Sequence, residues 1–236
     1  MARKRARNIN IMNLPGTSIK LGVVLLGLLA GSTAVAGDYE RLFNGKDLAG
    51  WTVYVDPKAT HVPEKPWSVA DGVLVCEGSA KGYLITEREY ENYSLRLEWR
   101  WGEKTTRPGR YSSVFVHVTG PDKMLPKGLD LTLGADAAGQ FWLVGGCELQ
   151  VDRRRQDPKS ERHFFAMMPH ADAPIGQWNR AEIVCNQGSV RASINGHLVN
   201  EGKAASPEKG RILLLSEGAE ILFRKIELKA LDPNKP

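Results

Sequence analysis

The stretch GGCELQVDRRRQD, residues 145–157, holds the densest set of side chains able to do chemistry in this chain. Side chains alternate along a strand, so Glu148, Gln150 and Asp152 are expected to share one face. Leu149 and Val151 then point the other way, toward a core. A carboxylate can take a proton or hold a cation, an amide can hold a hydroxyl, and a guanidinium such as Arg153 can polarise an oxygen. Arg153, Arg154 and Arg155 are consecutive, so they cannot all face one site. The second group of interest is His117, in the run VFVHVTG. Alternation predicts Ser113, Phe115 and His117 on one side of that strand, and Val114, Val116 and Val118 on the other. An imidazole on the polar side can serve as an acid or as a ligand.

The elements that must hold these groups read as strands. Residues 67–69, 73–77 and 94–101 are predicted strands, the first two joined by the tight hairpin signal Asp71-Gly72. In the third, Leu95, Leu97, Trp99 and Trp101 alternate with Arg96, Glu98 and Arg100, so one face is buried and the other charged. The segment DYERLFNGKDLAGWTVY opens with an apolar strand and an Asn44-Gly45 turn. Residues 121–138, with Pro121, Pro126, Gly128 and Gly134, read as a long loop of the kind that caps functional faces. Residues 153–177 read as irregular. The C-terminal third is a meander with turns at Gln187-Gly188 and Asn195-Gly196, then two strands around Glu217-Gly218. No amphipathic helix of ordinary length is predicted after residue 38. Many short strands punctuated by glycine imply an all-β sandwich or jelly roll.

The N-terminus has a different composition. MARKRAR precedes the apolar run LGVVLLGLLAG and then STAVAGD, which is a basic region, a hydrophobic region of secretory length and a small-residue cleavage site. Residues 1–36 therefore read as a signal peptide cleaved after Ala36, with residues 37–236 as one domain and no membrane span once the leader is removed. The leader carries five basic residues and no acid, so the remaining 200 residues hold 27 Lys and Arg against 27 Asp and Glu. That balance leaves no nucleic-acid footprint. Cys76, Cys147 and Cys185 each sit in an apolar, strand-like segment. Export permits one disulfide among them, and three buried free thiols are the other reading.

Taken together and in order, LFNGKDLAGW, WSVADGVL, YLITEREYENYSLRLEWRW, GCELQVD, GQWNRAEIVCNQGSV, INGHLV and GRILLLSEGAEILFRKIELKAL resemble the bacterial 3-keto-disaccharide hydrolase family over residues 38–231. The resemblance implies a concanavalin A/laminin-G-like jelly roll, a periplasmic or secreted location, and a glycoside or oligosaccharide oxidised at carbon 3 as ligand. A ketone there acidifies the hydrogen on carbon 2, and the glycosidic oxygen on carbon 1 lies β to the carbonyl. A base can remove that hydrogen while an acid assists the aglycone to leave; water adding to the enone completes hydrolysis, and stopping short of it gives a lyase. The resemblance points to Glu148 as base or metal ligand and to His117 as acid or ligand. Gln150 and Arg153 are then substrate-binding, and Trp142, Trp51 or Trp101 can stack on a pyranose. A divalent cation held by Glu148, His117 and Asp152 is the alternative electrophile. Glu98 reads as structural, and Trp67, Trp99 and Trp178 as core.

The chain also departs from the family. Asn-Ser-Gly is common where Tyr111-Ser112-Ser113 stands, an arginine where the strand continues Val116-His117, and a glutamine at Leu215; FRNI has become FRKI with Lys225. Two readings stay open: a hydrolase or lyase of 3-keto-glycosides, and a non-catalytic carbohydrate-binding module on the same fold.

Overall fold

Apolar and charged residues alternate most regularly in the longest strand, and this sets the frame of the molecule. The computed structural model describes residues 38–105 and 109–234; the expected leader lies outside them. The first strands are β1 (Glu40–Arg41), β2 (Trp51–Val55), β3 (Trp67–Ala70), β4 (Val73–Cys76), β5 (Gly82–Thr86) and β6 (Tyr93–Thr105). Next come β7 (Ser113–Thr119), β8 (Lys127–Thr132), β9 (Phe141–Val144), β10 (Glu148–Val151), β11 (Gln156–Asp157) and β12 (Ser160–Phe164). The last are β13 (Asn179–Asn186), β14 (Ser189–Ile194), β15 (His197–Ser206), β16 (Arg211–Ser216) and β17 (Ala219–Ala230). Among the described residues the one helical element is a 3₁₀ turn, Arg153–Arg155.

Two antiparallel sheets stack face to face. One runs β10-β15-β14-β13-β6-β17-β4-β3, with β1 also on β17; the other runs β11-β12-β9-β8-β7-β16-β5-β2. The core between them is built from inward residues of both: Leu95, Leu97, Trp99, Ile183 and Phe223 from the β6 sheet, and Leu84, Val114, Leu129, Phe141 and Leu214 from the β7 sheet. This is the jelly-roll-type all-β sandwich that the sequence pattern implies. The expected hairpins form as read: Asp71-Gly72, Gln187-Gly188 and Asn195-Gly196 each place two consecutive residues at positive φ, the geometry that matches strand twist.

Three expectations are corrected. Residues 121–138 are not one loop, because KGLDLT within them forms β8, with Leu129 and Leu131 inward and Asp130 and Thr132 outward. The irregular stretch after Arg153 contains β11 and β12, which close one edge of the β7 sheet. At the start of the domain the opening strand is only the exposed two-residue β1, paired with β17; Leu42 and Phe43 lie against the core outside any strand, and the longer strand of this stretch is Trp51–Val55.

The β7 sheet also carries a second apolar cluster on its outer face. Tyr83, Ile85, Phe115, Val118, Leu213 and Leu215 are fully buried there, with Tyr54, Tyr111, Met124 and Val144 packed on them. The three cysteines are free and buried. Burial pushes the Cys76 and Cys185 thiols up to about 12 and Cys147 to about 11.

Candidate active site

Strand register lines up one rank of residues across the outer face of the β7 sheet. Paired positions run Thr52–Ile85, Ile85–Leu213, Leu213–Phe115, Phe115–Asp130, Asp130–Trp142 and Trp142–His163. Opposed residues of an antiparallel pair point to the same face, so these side chains form a row with one residue about every 5 Å. The next row holds Ser113 opposite Thr132.

Asp130 is the feature that stands out in this row. It is 4% exposed, its Oδ1 has no hydrogen bond of good geometry, and neither do the buried Ser113 Oγ and Thr132 Oγ1 beside it. Burial pushes its carboxyl up to about 8; Ser113 draws it down a little and the Glu217 carboxylate adds to the rise. Tyr111, just before β7, brings its hydroxyl close to Ser113, Thr132 and Asp130, and burial followed by the Asp130 charge lifts it to about 12. Glu217, in the β16–β17 turn, pairs with Lys81 at 3.7 Å. A buried carboxyl that titrates near neutrality, among three hydroxyls, can move a proton and stabilise a developing oxyanion.

One strand away, Trp142 is half-buried and stacks on His163 with ring centroids 4.0 Å apart and 10° between planes. His163 is fixed from both ends: Nδ1 is 2.9 Å from Asp157 Oδ2 and Nε2 is 2.7 Å from Gln140 Oε1. The His163 bond is the main cause holding the Asp157 carboxyl below its usual range. Phe165 meets the other edge of His163 at 4.9 Å. The indole is thus a ring platform held in one orientation next to Asp130.

The residues singled out from the sequence fall in several places. Glu148 and Gln150 do alternate outward on β10, with Leu149 and Val151 buried, and Asp152, just past the strand, is exposed as well. However, β10 is the edge strand of the β6 sheet, not of the sheet that carries Asp130. Glu148 is exposed, and its carboxylate makes no hydrogen bond or ion pair to a described residue. Asp152 caps the 3₁₀ turn and is bound by Arg154 Nη2 at 2.6 Å; that bond and the Arg154 backbone amide pull its carboxyl down to about 2. Gln150 and Arg153 share an open hollow of about 670 Å³ at the sandwich edge with Gln156, Glu161 and an apolar floor. Trp51 is core: it is 6% exposed and its Nε1 donates to the Leu42 carbonyl at 2.8 Å. Trp142 is the predicted platform that reaches the outer face of the β7 sheet.

His117 is turned the other way from the expectation. It has φ 55, and the register of β7 shifts between Val116 and Thr119. Such a bulge reverses which face the following residues take, so Val118 joins Phe115 outside while His117 packs edge-on against Tyr93 of the core. It is 2% exposed, neither ring nitrogen has a well-formed hydrogen bond, and burial holds it down to about 4 against a small opposing effect of the Pro207 backbone. The cation set of Glu148, His117 and Asp152 is therefore not assembled. Among the described residues, no three His, Cys, Asp or Glu side chains gather as a metal site would need. Asp130, Thr132 and His163 were missed by the sequence reading; the available signal was the period-two alternation of GLDLTL, a lone Asp between two inward leucines.

The chain is similar to known proteins over most of its length. It is 27% identical over 172 residues to a 3-keto-disaccharide hydrolase of Bacteroides thetaiotaomicron, covering 66% of this chain and 55% of that protein, so it spans about half of that relative. Among solved structures, a candidate glycosyl hydrolase from Parabacteroides distasonis superposes with a TM-score of 0.60 at 21% identity, covering 83% of this chain and all of that one. A Bacillus licheniformis β-glucanase gives 0.54 at 12% identity over 84% of this chain and 100% of its own. A Bacillus subtilis carbohydrate-binding module gives 0.53 at 10%, over 77% and 96%. At these identities the structures share the fold, which hosts catalysis and binding alike. Residues 38–229 match the 3-keto-alpha-glucoside-1,2-lyase-like domain, and the chain belongs to that family.

Proposed function

We propose that the protein cleaves glycosides oxidised at carbon 3 of the sugar, with Asp130 as the base. The observation that carries this reading is the buried, incompletely bonded carboxyl of Asp130 in the same row as the Trp142 platform. The pyranose lies on Trp142. Asp130 as carboxylate takes the hydrogen from carbon 2, the electron pair forms the double bond to carbon 1, and the bond from carbon 1 to the glycosidic oxygen breaks. The enolate oxygen at carbon 3 receives hydrogen bonds from the hydroxyls of Tyr111, Ser113 or Thr132. The departing oxygen takes a proton, and addition of water across the new double bond completes hydrolysis. A chain that carries out only the first half is a lyase. Export to the periplasm or beyond belongs to this proposal and is supported by the signal-like pattern of residues 1–36.

The test is release of a chromogenic aglycone from a 3-keto-glucoside. Asp130→Asn should lower kcat by roughly 10²–10⁴-fold with an unchanged circular dichroism spectrum, and Glu148→Gln should remain close to wild type. The wild-type rate should climb as pH rises through about 8, where Asp130 becomes charged. Full activity in Asp130→Asn with loss in Glu148→Gln would move the base to β10. The alternative, a binding module on the same face, draws on the departures Tyr111 and Leu215, both of which border Asp130's row. Saturable binding of glycans with no release from any 3-keto-glycoside would establish it.

A further inference from the structure

We infer that Asn200, a residue of the opposite sheet, is a positioning residue that holds two parts of this site in place: the Trp142 platform and the Thr132 hydroxyl. The inference rests on the reading of Asp130, Thr132 and Trp142 as groups that meet the sugar. Asn200 lies in β15 and is fully buried. Its amide makes every hydrogen bond open to it. Oδ1 accepts from Arg155 Nη1 and from the Glu201 backbone amide at 3.2 Å, while Nδ2 donates to the Gly139 carbonyl at 3.0 Å and to the Phe165 carbonyl at 3.4 Å. Donors face the oxygen and carbonyls face the nitrogen, so the amide has one orientation.

Both carbonyls lie at the ends of strands of the β7 sheet. Gly139 is in the β8–β9 turn, where its N–H donates to the Thr132 carbonyl at 2.9 Å and the Thr132 N–H donates to the Gln140 carbonyl at 3.0 Å. The turn is also seated closely on β15: a Cβ at Gly139 would lie 2.6 Å from Val199 Cβ. Gln140 continues from this turn to meet His163 Nε2, and Phe165 closes on the edge of the same ring. His163 in turn carries Trp142 on its face. One buried amide thus fixes both residues that grip the His163 ring, and with it the tilt of the indole. The same amide fixes the strand end that carries Thr132. Groups that bind a substrate keep a useful geometry when the residues behind them are locked by packing and hydrogen bonds.

The experiment uses Asn200→Asp, which keeps the shape and the acceptor toward Arg155 but turns a carboxylate oxygen on the carbonyls of Gly139 and Phe165. The readouts are the NMR shifts of the His163 ring protons, assigned by their absence in His163→Gln, and the kinetics on a 3-keto-glucoside. In wild type the stacked indole moves those protons upfield. In Asn200→Asp that displacement should collapse toward the ordinary imidazole position, and KM should rise about tenfold. The fall in kcat should be smaller, since Tyr111 and Ser113 still serve the enolate oxygen. Arg155→Ala removes a donor to Oδ1 and should move both readouts the same way by less; it carries the test if Asn200→Asp does not fold. Ile183→Ala, a core change in β13, controls for lost stability alone and should leave the His163 shift and KM at wild-type values. An unmoved shift in Asn200→Asp, or a moved shift with a wild-type KM, overturns the inference. So does an equal change in Ile183→Ala, or an unmoved shift in Arg155→Ala where that variant stands alone. If wild type turns over no 3-keto-glycoside while the shift still collapses in Asn200→Asp, the function assigned to the site fails and Asn200's hold on the platform stands.

Discussion

Burial disfavours the charged form of both His117 and Asp130, and the two respond to pH in opposite senses. The folded pKa of His117, about 4, lies below its ordinary 6.5, so the unfolded chain binds the extra proton between those values. Its stabilising effect is complete above pH 6.5 and is lost as pH falls toward 4, on the order of 3 kcal/mol. Asp130, about 8 when folded against an ordinary 3.8, contributes fully below pH 3.8 and loses that contribution as pH rises toward 8. Between pH 4 and 6.5 the two trends offset each other. From 6.5 to 8 Asp130 acts alone, and stability should fall by on the order of 2 kcal/mol. Melting temperatures taken in steps from pH 4 to 9 should show this decline in wild type and its disappearance in Asp130→Asn. The variant should also be the more stable protein at pH 8, as expected when a strained functional charge is removed. An identical decline in both proteins would mean that Asp130 is not the group responsible.

At the scale of elements, the bulge that turns His117 inward depends on a close approach from the turn between β15 and β16. A Cβ at Gly210 would lie 2.4 Å from the His117 carbonyl carbon and 2.7 Å from the Val118 nitrogen, both backbone atoms that cannot step aside. Gly210→Ala should therefore cost about 1–3 kcal/mol, read as a lower urea midpoint at unchanged slope. A wild-type midpoint would show that the turn is not seated against β7. This dependence explains which parts of the fold were legible in the sequence. Strands β6, β13 and β14 declared themselves because their alternation is long and their turns carry Asn-Gly-type signals. Strand β8 did not, because Pro126 and Gly134 flank it and Gly128 lies within it, so that its six-residue pattern is visible only when taken alone. The orientation of His117 follows from pairing with strands distant in sequence, which no local spacing records. Glu148 was read correctly as outward-facing, but which sheet its strand joins is a property of topology.

For the molecule as a whole, the two outer faces divide the labour. The outer face of the β6 sheet is a lattice of paired charges: Glu98 binds Arg224 at 2.6 Å and Lys225 at 2.8 Å, Arg96 lies 3.4 Å over Tyr39, and Arg224 lies 3.9 Å over Trp178. Its Glu98 is structural, as its place between Arg96 and Arg100 suggested, and its Trp178 is a surface ring instead of a core one. The outer face of the β7 sheet holds the aromatic platform and the neutral carboxyl of Asp130.

The free thiols are distributed so that they can time the opening of different parts of this sandwich. Cys147 precedes the edge strand β10, while Cys76 and Cys185 lie within β4 and β13. A thiol sealed from solvent reacts with an alkylating reagent only when its surroundings part, so each labelling rate measures the free energy of the smallest opening that exposes it. In native buffer Cys147 should be modified first, at the rate at which β10 peels away. Cys76 and Cys185 should follow together, much later, at the rate of whole-domain unfolding. Mass spectrometry of each labelled peptide reads the three rates separately, and simultaneous modification of all three would mean that the edge and the centre of the sheet open as one unit.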